Sequence, residues 1–520
     1  MSTEIFVIAV VAIGVLIVTI IGIKGGHSAS ATMEGWLVND RKMGPFLTWF
    51  LLGTEIYTAF TFLGLAGFAY SKGGGIFYNV ATNDVAYALG FMILPAIGMV
   101  GRRYGYVTQA DFIAGRYASR WLGVLVAFCA AIIMLAYIDL NIEGLGAVLS
   151  VLTNHQVNLM TAQIIGFSVL SLAVFFGGIR GNAWQSVIKD LLMFGAIAAL
   201  FIAVPLRYFH GFGDMFNQMM TKIPSHLIMP GPTHKLTLGW FWTTILLTGF
   251  GQWMWPQWFG VAFSAKGRNT LKLQAVFMPF YQLVKVAVIT VGFAAILIFA
   301  TQKVSGNEVV LLLVQNIFPP WALALIALAA VLSAIVPAGP IIMMCCSLLS
   351  RNVYGTLRPQ ASARSVFILS RTLVFVVTFI ALILAIVAHS LIVTILLVAY
   401  DFIAQFVPAV IIGGLFWRRA TAKGVLAGLL VGWGLTIYFL FSHFRPVMGM
   451  NVGFVALVAN CIVFWIVSLL TEPLSKPFLD DFFGAAFGRR RASSGIQQIV
   501  PVAEGSALFK DLTFRTGDVE

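Results

Sequence analysis

Several ionisable side chains of this chain lie inside membrane-length apolar runs, where a charge is costly. The most informative is Glu55, which follows Gly53 and Thr54 at the middle of the apolar run 45–68. An acid at that depth usually faces a protein interior or a water-filled path. We therefore expect ionisable residues of this kind to serve coupling or gating. The candidates are Glu55, Glu143, Lys189, Asp190 and Asp401.

The rest of the chain must supply membrane helices to hold these residues. Of its 520 residues, 60% are hydrophobic and only 10% are charged, and the mean hydropathy is +0.95. This composition excludes an ordinary soluble domain and predicts an all-α integral membrane protein with about 13 spans of about 20 residues each. The net charge of +13 lies mainly in short loops on one side, so it indicates topology and not nucleic-acid binding. It places the amino terminus outside and the carboxyl terminus in the cytoplasm.

Two of the predicted spans are interrupted at their middles. The run 45–70 is broken around Gly53, Thr54 and Glu55, and the run 238–263 is broken around Gly249, Gly251 and Pro256. Each opens a series of five spans, which is typical of an inverted repeat with its binding site where the broken helices meet. The alternative is that these small residues only allow close helix packing.

We predict one membrane domain, 1–475, followed by a cytoplasmic tail, 476–520. The domain divides into an amino-terminal helix and loop (1–44), two repeats (45–206 and 238–415) and carboxyl-terminal helices (424–472).

Four sequence blocks give the chain a family resemblance. They are TFLGLAGFAY at 61–70, GYVTQADFIAGRY at 105–117, FFGGIRGNAW at 175–184 and PAVIIGGLFWRRAT at 408–421. In this order they resemble the sodium:solute symporter family. The resemblance implies a leucine-transporter-like fold of five plus five spans, with one extra amino-terminal helix and two carboxyl-terminal helices. It also implies alternating access.

The resemblance further implies a sodium site. Its ligands would be the carbonyl groups of Thr54, Tyr57 and Ala330 and the hydroxyl group of Ser333. The usual second hydroxyl is missing, because the next residue is Ala334. A hard cation needs several oxygen ligands, so this loss leaves two coupling ions open. Either Na⁺ binds these four residues, or a proton travels on Glu55. No other cofactor is expected.

Further residues resemble the monocarboxylate-permease branch of the family, notably IKD at 188–190 and VPA at 336–338. We expect a secondary active symporter that imports a small organic solute, either a lactate- or pyruvate-like monocarboxylate or a small amino acid. The prolines of SAIVPAGPII, 333–342, should reshape their helix. The candidate substrate-binding residues are Glu55, Thr58, Tyr137, Asp139, Trp253, Trp255, Gln257 and Gln405.

Some of these residues allow a structural interpretation as well. Asp139 and Glu143 are four residues apart and share a helical face, so they either line the cavity or satisfy neighbouring helices. Asp401 is either a gate residue or an acid at a helix end.

Other classes of function fit less well. The seven histidines are scattered and form no metal motif, which argues against an enzyme. A channel, or a sensor that signals through a separate partner, is the alternative to a carrier.

The expected location is a plasma membrane, best a bacterial inner membrane, and the expected partners are the solute and lipid. The oligomeric state has no signal in the sequence.

Overall fold

The computed structural model describes residues 3–26, 32–153, 157–232, 236–302, 304–387, 392–442 and 447–488. The described residues are helical, apart from connecting turns and one isolated β-bridge between Met43 and Ala265. The helices of the first half are α1 Thr3–Gly26, α2 Met33–Val38, α3 Pro45–Thr54, α4 Leu65–Lys72, α5 Tyr78–Tyr104, α6 Gln109–Arg116, α7 Arg120–Leu152, α8 Leu159–Tyr208, α9 Phe212–Lys222 and α10 Pro224–Leu227.

The second half continues in the same way. Its helices are α11 Leu238–Gly251, α12 Pro256–Ser264, α13 Arg268–Phe277, α14 Phe280–Ile298, α15 Val309–Ile317, α16 Pro320–Ser347, α17 Gly355–Leu357, α18 Ala363–Val387, α19 Ile392–Ile403, α20 Ala422–Phe441, α21 Val452–Leu470 and α22 Lys476–Phe487. Three π-helical segments lie at Phe60–Gly64, Leu348–Tyr354 and Pro408–Phe416.

The helices are suited to a bilayer. Ten helical segments of the described chain are long and apolar enough to cross a membrane, and Pro45–Thr54 and Leu159–Ser168 are shorter apolar helices. Large apolar side chains on α1, such as Ile13, Leu16 and Ile17, are exposed, as expected of a surface that contacts lipid. The chain is therefore a multi-pass membrane protein, and the expected total of about 13 spans stays a prediction.

The first broken helix confirms the predicted interruption. α3 ends at Thr54, residues 55–58 are not helical, and the chain resumes helix through Phe60–Gly64 into α4. We call residues 55–58 the first break. The amide groups of Ile56 and Tyr57 both donate to the carbonyl oxygen of Gly53 at 2.9 Å, which closes the end of α3 tightly.

The second broken helix is also confirmed. α11 ends at Gly251, a short 3₁₀ turn covers Gln252–Met254, and α12 begins at Pro256. We call residues 252–255 the second break. Proline disfavours helical geometry in the residue before it, and Trp255 is accordingly extended, with φ −67° and ψ 130°. The carbonyl oxygen of Met254 accepts a hydrogen bond from the Gln109 side chain at 2.5 Å.

The prolines of α16, for which the sequence predicts a reshaped helix, do not break that helix. α16 is continuous through Pro337 and Pro340. Pro340 has no N–H to donate to the carbonyl group of Val336, four residues earlier. The side chain of Asn182 on α8 donates to that carbonyl oxygen at 2.7 Å and so replaces the missing donor. A partner helix therefore compensates for the proline.

Candidate functional site

Glu55 lies in the first break and is almost completely buried, with 3% of its surface exposed. Among the described residues, neither of its carboxyl oxygens has a hydrogen-bond partner. Its carbonyl oxygen accepts a hydrogen bond of 3.3 Å from the hydroxyl group of Tyr137 on α7. The first break thus presents a carboxyl group to the protein interior, and Tyr137 holds the break through its backbone carbonyl group.

Lys189 contacts the same break from α8. Its ammonium group donates to the carbonyl oxygens of Tyr57 at 2.7 Å and Thr54 at 3.3 Å. It also pairs with the carboxylate of Asp190 at 2.6 Å, and both side chains are fully buried. Thr54 and Tyr57 are the two carbonyl ligands predicted for sodium. In this structure they accept hydrogen bonds from a lysine.

Tyr281 of α14 completes this network. Its hydroxyl group donates to Asp190 at 3.0 Å, and its carbonyl oxygen accepts from the Tyr57 hydroxyl group at 3.0 Å. The rings of Tyr57 and Tyr281 meet edge to face, with centroids 4.6 Å apart. Three helical elements are therefore joined around one buried ion pair: the first broken helix, α8 and α14.

The second break lies on the other side of Tyr137. The ring of Trp255 contacts Tyr137 at 4.9 Å and Tyr400 of α19 at 5.4 Å, both edge to face. The Tyr400 hydroxyl group donates to the side chain of Gln252 at 2.5 Å. The side chain of Gln257, in the first turn of α12, lies within reach of the Glu55 carboxyl group, and Lys189 interacts with that group electrostatically. Aromatic walls and a carboxyl group therefore meet between the two breaks.

Several polar atoms at this meeting point make no hydrogen bond of normal geometry within the protein, although Gln257 interacts with the Glu55 carboxyl group and Trp255 with the Tyr400 hydroxyl group. Buried polar groups are normally hydrogen-bonded, so a cluster of unpaired ones indicates a position where a ligand or water binds. Within the described part of the chain, these buried atoms are Glu55 Oε1 and Oε2, Trp255 Nε1, and Gln257 Nε2 and Oε1, and Thr54 Oγ1 at the end of α3 also makes no such bond. Together they offer both donors and acceptors to a small solute.

Two predicted substrate residues have other partners. Trp253 donates to the carbonyl oxygen of Ala86 on α5 at 2.7 Å and packs against Gly90, where a Cβ atom would be 2.7 Å from the Trp253 ring. Gln405 donates to the carbonyl oxygens of Asp401 and Gly453 and accepts from Asn460. The structure thus engages Trp253 with α5 and Gln405 with α21, and does not bring them to the cluster of unpaired atoms.

Thr58, also a predicted substrate residue, lies in the first break itself. It is buried, and its hydroxyl oxygen accepts from the backbone amide of Phe60 at 3.1 Å. It interacts with Tyr137 as well. The threonine therefore shapes the turn that carries Glu55.

The acids on α7 and α19 lie at helix contacts. Glu143 accepts from Gln163 of α8 at 2.7 Å, and Asp139 interacts electrostatically with Glu143. Asp401 is buried and interacts with Asn451, the residue that caps α21. These contacts favour the structural alternative for Glu143, and they place Asp401 against the carboxyl-terminal helices.

The predicted ligands on α16 bond to each other. The hydroxyl group of Ser333 donates to the carbonyl oxygen of Ala330 at 2.7 Å, and both residues are buried. Ala334 follows with no polar group.

The sequence predicts no role for three partners of the site, Tyr281, Tyr400 and Gln252, or for Asn182, which supports α16. Tyrosines in apolar runs resemble ordinary core residues, so Tyr281 and Tyr400 carry no signal. Asn182 and Gln252 are amides inside apolar runs, and this could have marked them.

Comparisons with known proteins agree on one family. The profile described as the sodium:solute symporter family matches residues 36–432. An uncharacterized symporter of Bacillus subtilis is 34% identical over 483 residues, which is 91% of this chain and 98% of the relative. A monocarboxylate transport permease protein of Rhizobium johnstonii is 27% identical over 410 residues, which is 78% of this chain and 82% of the relative.

A solved structure supports the fold. A sodium-coupled sialic acid symporter, in a substrate-bound outward-open state, is similar with a TM-score of 0.75 and 14% identity. The match covers 90% of this chain and 99% of that one. At this identity the likeness shows the fold alone.

Proposed function

This chain belongs to the sodium:solute symporter family, and we propose that it imports a small monocarboxylate by alternating access between the two broken helices. Membership makes it a cation-coupled symporter and not an enzyme. The observation that carries the proposal is the cluster of unpaired buried polar atoms around Glu55, Trp255 and Gln257.

The bundle end that carries Arg102 faces the cytoplasm of a bacterial cell, and the repeats 45–206 and 238–415 move against each other.

The chemistry of the cluster suits a short organic acid. The indole N–H of Trp255 and the amide N–H groups of Gln257 make no hydrogen bond of normal geometry within the protein and can donate to a carboxylate. The rings of Tyr137, Trp255 and Tyr400 supply an apolar wall for a short carbon chain. The Rhizobium relative, named as a monocarboxylate permease, supports the same class.

Glu55 determines the coupling. An ionised Glu55 would repel an anionic solute at the same site, so solute and carboxylate fit together only when the carboxyl group carries a proton. We propose that Glu55 takes up this proton with the anion on the outer side and releases both to the cytoplasm. One proton and one anion then cross together, and the cycle is electroneutral.

Uptake into proteoliposomes tests the substrate. The purified full chain is reconstituted, and radiolabelled lactate, pyruvate, acetate, alanine and proline are offered with an inward proton gradient. We expect saturable accumulation of lactate or pyruvate. The variant Gln257→Leu, which removes the amide donors, should raise the KM for the acid.

The controls separate the remaining classes. Gln218→Leu changes an amide on α9, outside the site, and should leave uptake unchanged. Accumulation of alanine or proline alone would overturn the monocarboxylate assignment in favour of a small amino acid. Solute-evoked current without accumulation would overturn the carrier mechanism in favour of a channel.

A further inference from the structure

The ammonium group of Lys189 lies among three oxygen atoms. A lysine ammonium has three N–H donors and no acceptor. Three oxygens surround this one: the carbonyl oxygens of Tyr57 and Thr54, at 2.7 and 3.3 Å, and Asp190 Oδ1 at 2.6 Å. The ammonium group thus donates two hydrogen bonds to the first break and forms one close ion pair with Asp190.

This arrangement resembles the coordination of a monovalent cation at an unwound helix. Carbonyl groups released at a helix break are the ligands that sodium uses in transporters of this architecture. Thr54 and Tyr57 supply such carbonyls, and an ammonium group carries the same single positive charge as Na⁺. A sodium ion bound to the same two carbonyls would meet a positive charge already in place.

The opposite helix supports the same interpretation. On α16, the Ser333 hydroxyl group donates to the Ala330 carbonyl oxygen, and Ala334 offers no oxygen from its side chain. A sodium ion would therefore have to displace the lysine and would still lack a hydroxyl ligand. Hard cations tolerate such losses poorly.

The two carbonyl contacts join the buried ion pair to the first break. Burying a lysine and an aspartate is costly, and the pair offsets this cost only with good geometry and additional hydrogen bonds. Here Tyr281 donates to Asp190, and the backbone of the first break accepts from Lys189. The lysine thus holds the segment that must change conformation during transport.

We propose that Lys189 is a built-in cation, whose ammonium group takes the place of a sodium ion at the first break, so that solute transport by this chain needs no sodium. This rests on the proposed function for the role of the first break in transport. The groups facing Lys189 are Asp190 on its own helix and Glu55 and Tyr57 in the first break, and Tyr281 on α14 contacts Asp190.

Sodium binding tests this without any solute. Radioactive sodium is offered to the purified full chain in detergent. We expect no saturable binding by the wild-type protein. The double variant Lys189→Ala with Ala334→Ser removes the ammonium group and restores the missing hydroxyl group, and we expect it to gain saturable sodium binding.

The matched control is Lys285→Ala. Lys285 is a buried lysine on α14 that donates to Asn79 at 2.9 Å, so its removal leaves the carbonyl groups of Thr54 and Tyr57 occupied by Lys189. It should not gain sodium binding. Saturable sodium binding by the wild-type chain would overturn the proposal, and this measurement depends on no variant folding. A folded double variant that binds no sodium would overturn it as well.

A flux measurement follows with whichever solute the uptake screen identifies. Replacing sodium by choline should leave the initial rate of the wild-type chain unchanged, and a strict sodium requirement would contradict the built-in cation. If no solute is transported at all, the proposed function fails, while the sodium-binding result still stands on its own.

Discussion

Gly53 lies directly beside the ring of Tyr281. A Cβ atom at this position would be 1.8 Å from the tyrosine hydroxyl oxygen, so only glycine lets Tyr281 reach Asp190. We expect Gly53→Ala to displace Tyr281, to cost about 1–3 kcal/mol of stability through overpacking, and to reduce transport strongly. Thermal unfolding and uptake measure the two effects.

The control for this prediction is Gly44→Ala. Gly44 precedes α3 and has φ −78°, and a Cβ atom added there would have no neighbouring atom within 4 Å. It should leave both measurements unchanged. Equal behaviour of the two variants would remove the argument that close approach at Gly53 matters.

Glu55→Gln tests the proton carrier. Glutamine keeps the shape of the protonated carboxyl group but cannot release a proton. We expect the variant to exchange solute across the membrane at equal pH and to lose accumulation driven by a pH gradient. Asp214→Asn, at a half-buried acid on α9 outside the site, is the control. Full gradient-driven accumulation by Glu55→Gln would show that the proton travels elsewhere.

Residue types and spacing predicted part of this site. An acid beside glycine and threonine in an apolar run is costly anywhere but at a break, so the sequence predicts Glu55 as a site residue. Lys189 and Asp190 stood out as charges in a span. The atoms that Lys189 contacts were not predictable, because they depend on the rotation of α8 against the first broken helix. Tyr281 gave no signal because tyrosine is common in helix cores.

At the scale of elements, α16 depends on α8. Asn182 donates to the Val336 carbonyl oxygen that Pro340 leaves without a backbone donor. Asn182→Ala should leave a buried carbonyl group unsatisfied and cost about 1–3 kcal/mol. In a Pro340→Ala background, the backbone N–H returns and the same change should cost much less.

Thermal unfolding of the two single variants and the double variant measures this coupling. Additive effects would contradict it. The sequence predicts that the two prolines reshape the helix, because proline lacks an N–H donor. The amide of Asn182 that replaces one of these donors lies on another helix, so the sequence does not reveal it.

At the scale of the whole molecule, one end of the bundle ties the two broken helices together. The amide of Met43 donates to the Ser264 carbonyl oxygen at 3.0 Å, and the amide of Lys266 donates to the Met43 carbonyl oxygen at 2.8 Å. The guanidinium group of Arg102 donates to the carbonyl oxygens of Arg41, Ala265 and Lys266 at 2.7–3.0 Å. Backbone hydrogen bonds and the Arg102 side chain therefore hold the start of the first broken helix against the end of the second.

Arg102→Gln should weaken the contact between these two segments. Hydrogen bonds to charged groups contribute about 1.5–3 kcal/mol each, and we expect faster hydrogen–deuterium exchange at the amides of Met43 and Lys266. Arg120→Gln, whose guanidinium group lies over the ring of Trp121, is the control. Unchanged exchange in Arg102→Gln would show that the backbone hydrogen bonds alone hold the two segments together.

The contact between Asn182 and Val336 has a consequence for the history of the chain. A proline can enter α16 at position 340 without harm only after an amide donor is present opposite it, and the donor cannot then be lost. The order of these two substitutions is therefore constrained. Among relatives that carry the proline, we expect asparagine or another hydrogen-bond donor at position 182 to have been inherited with it.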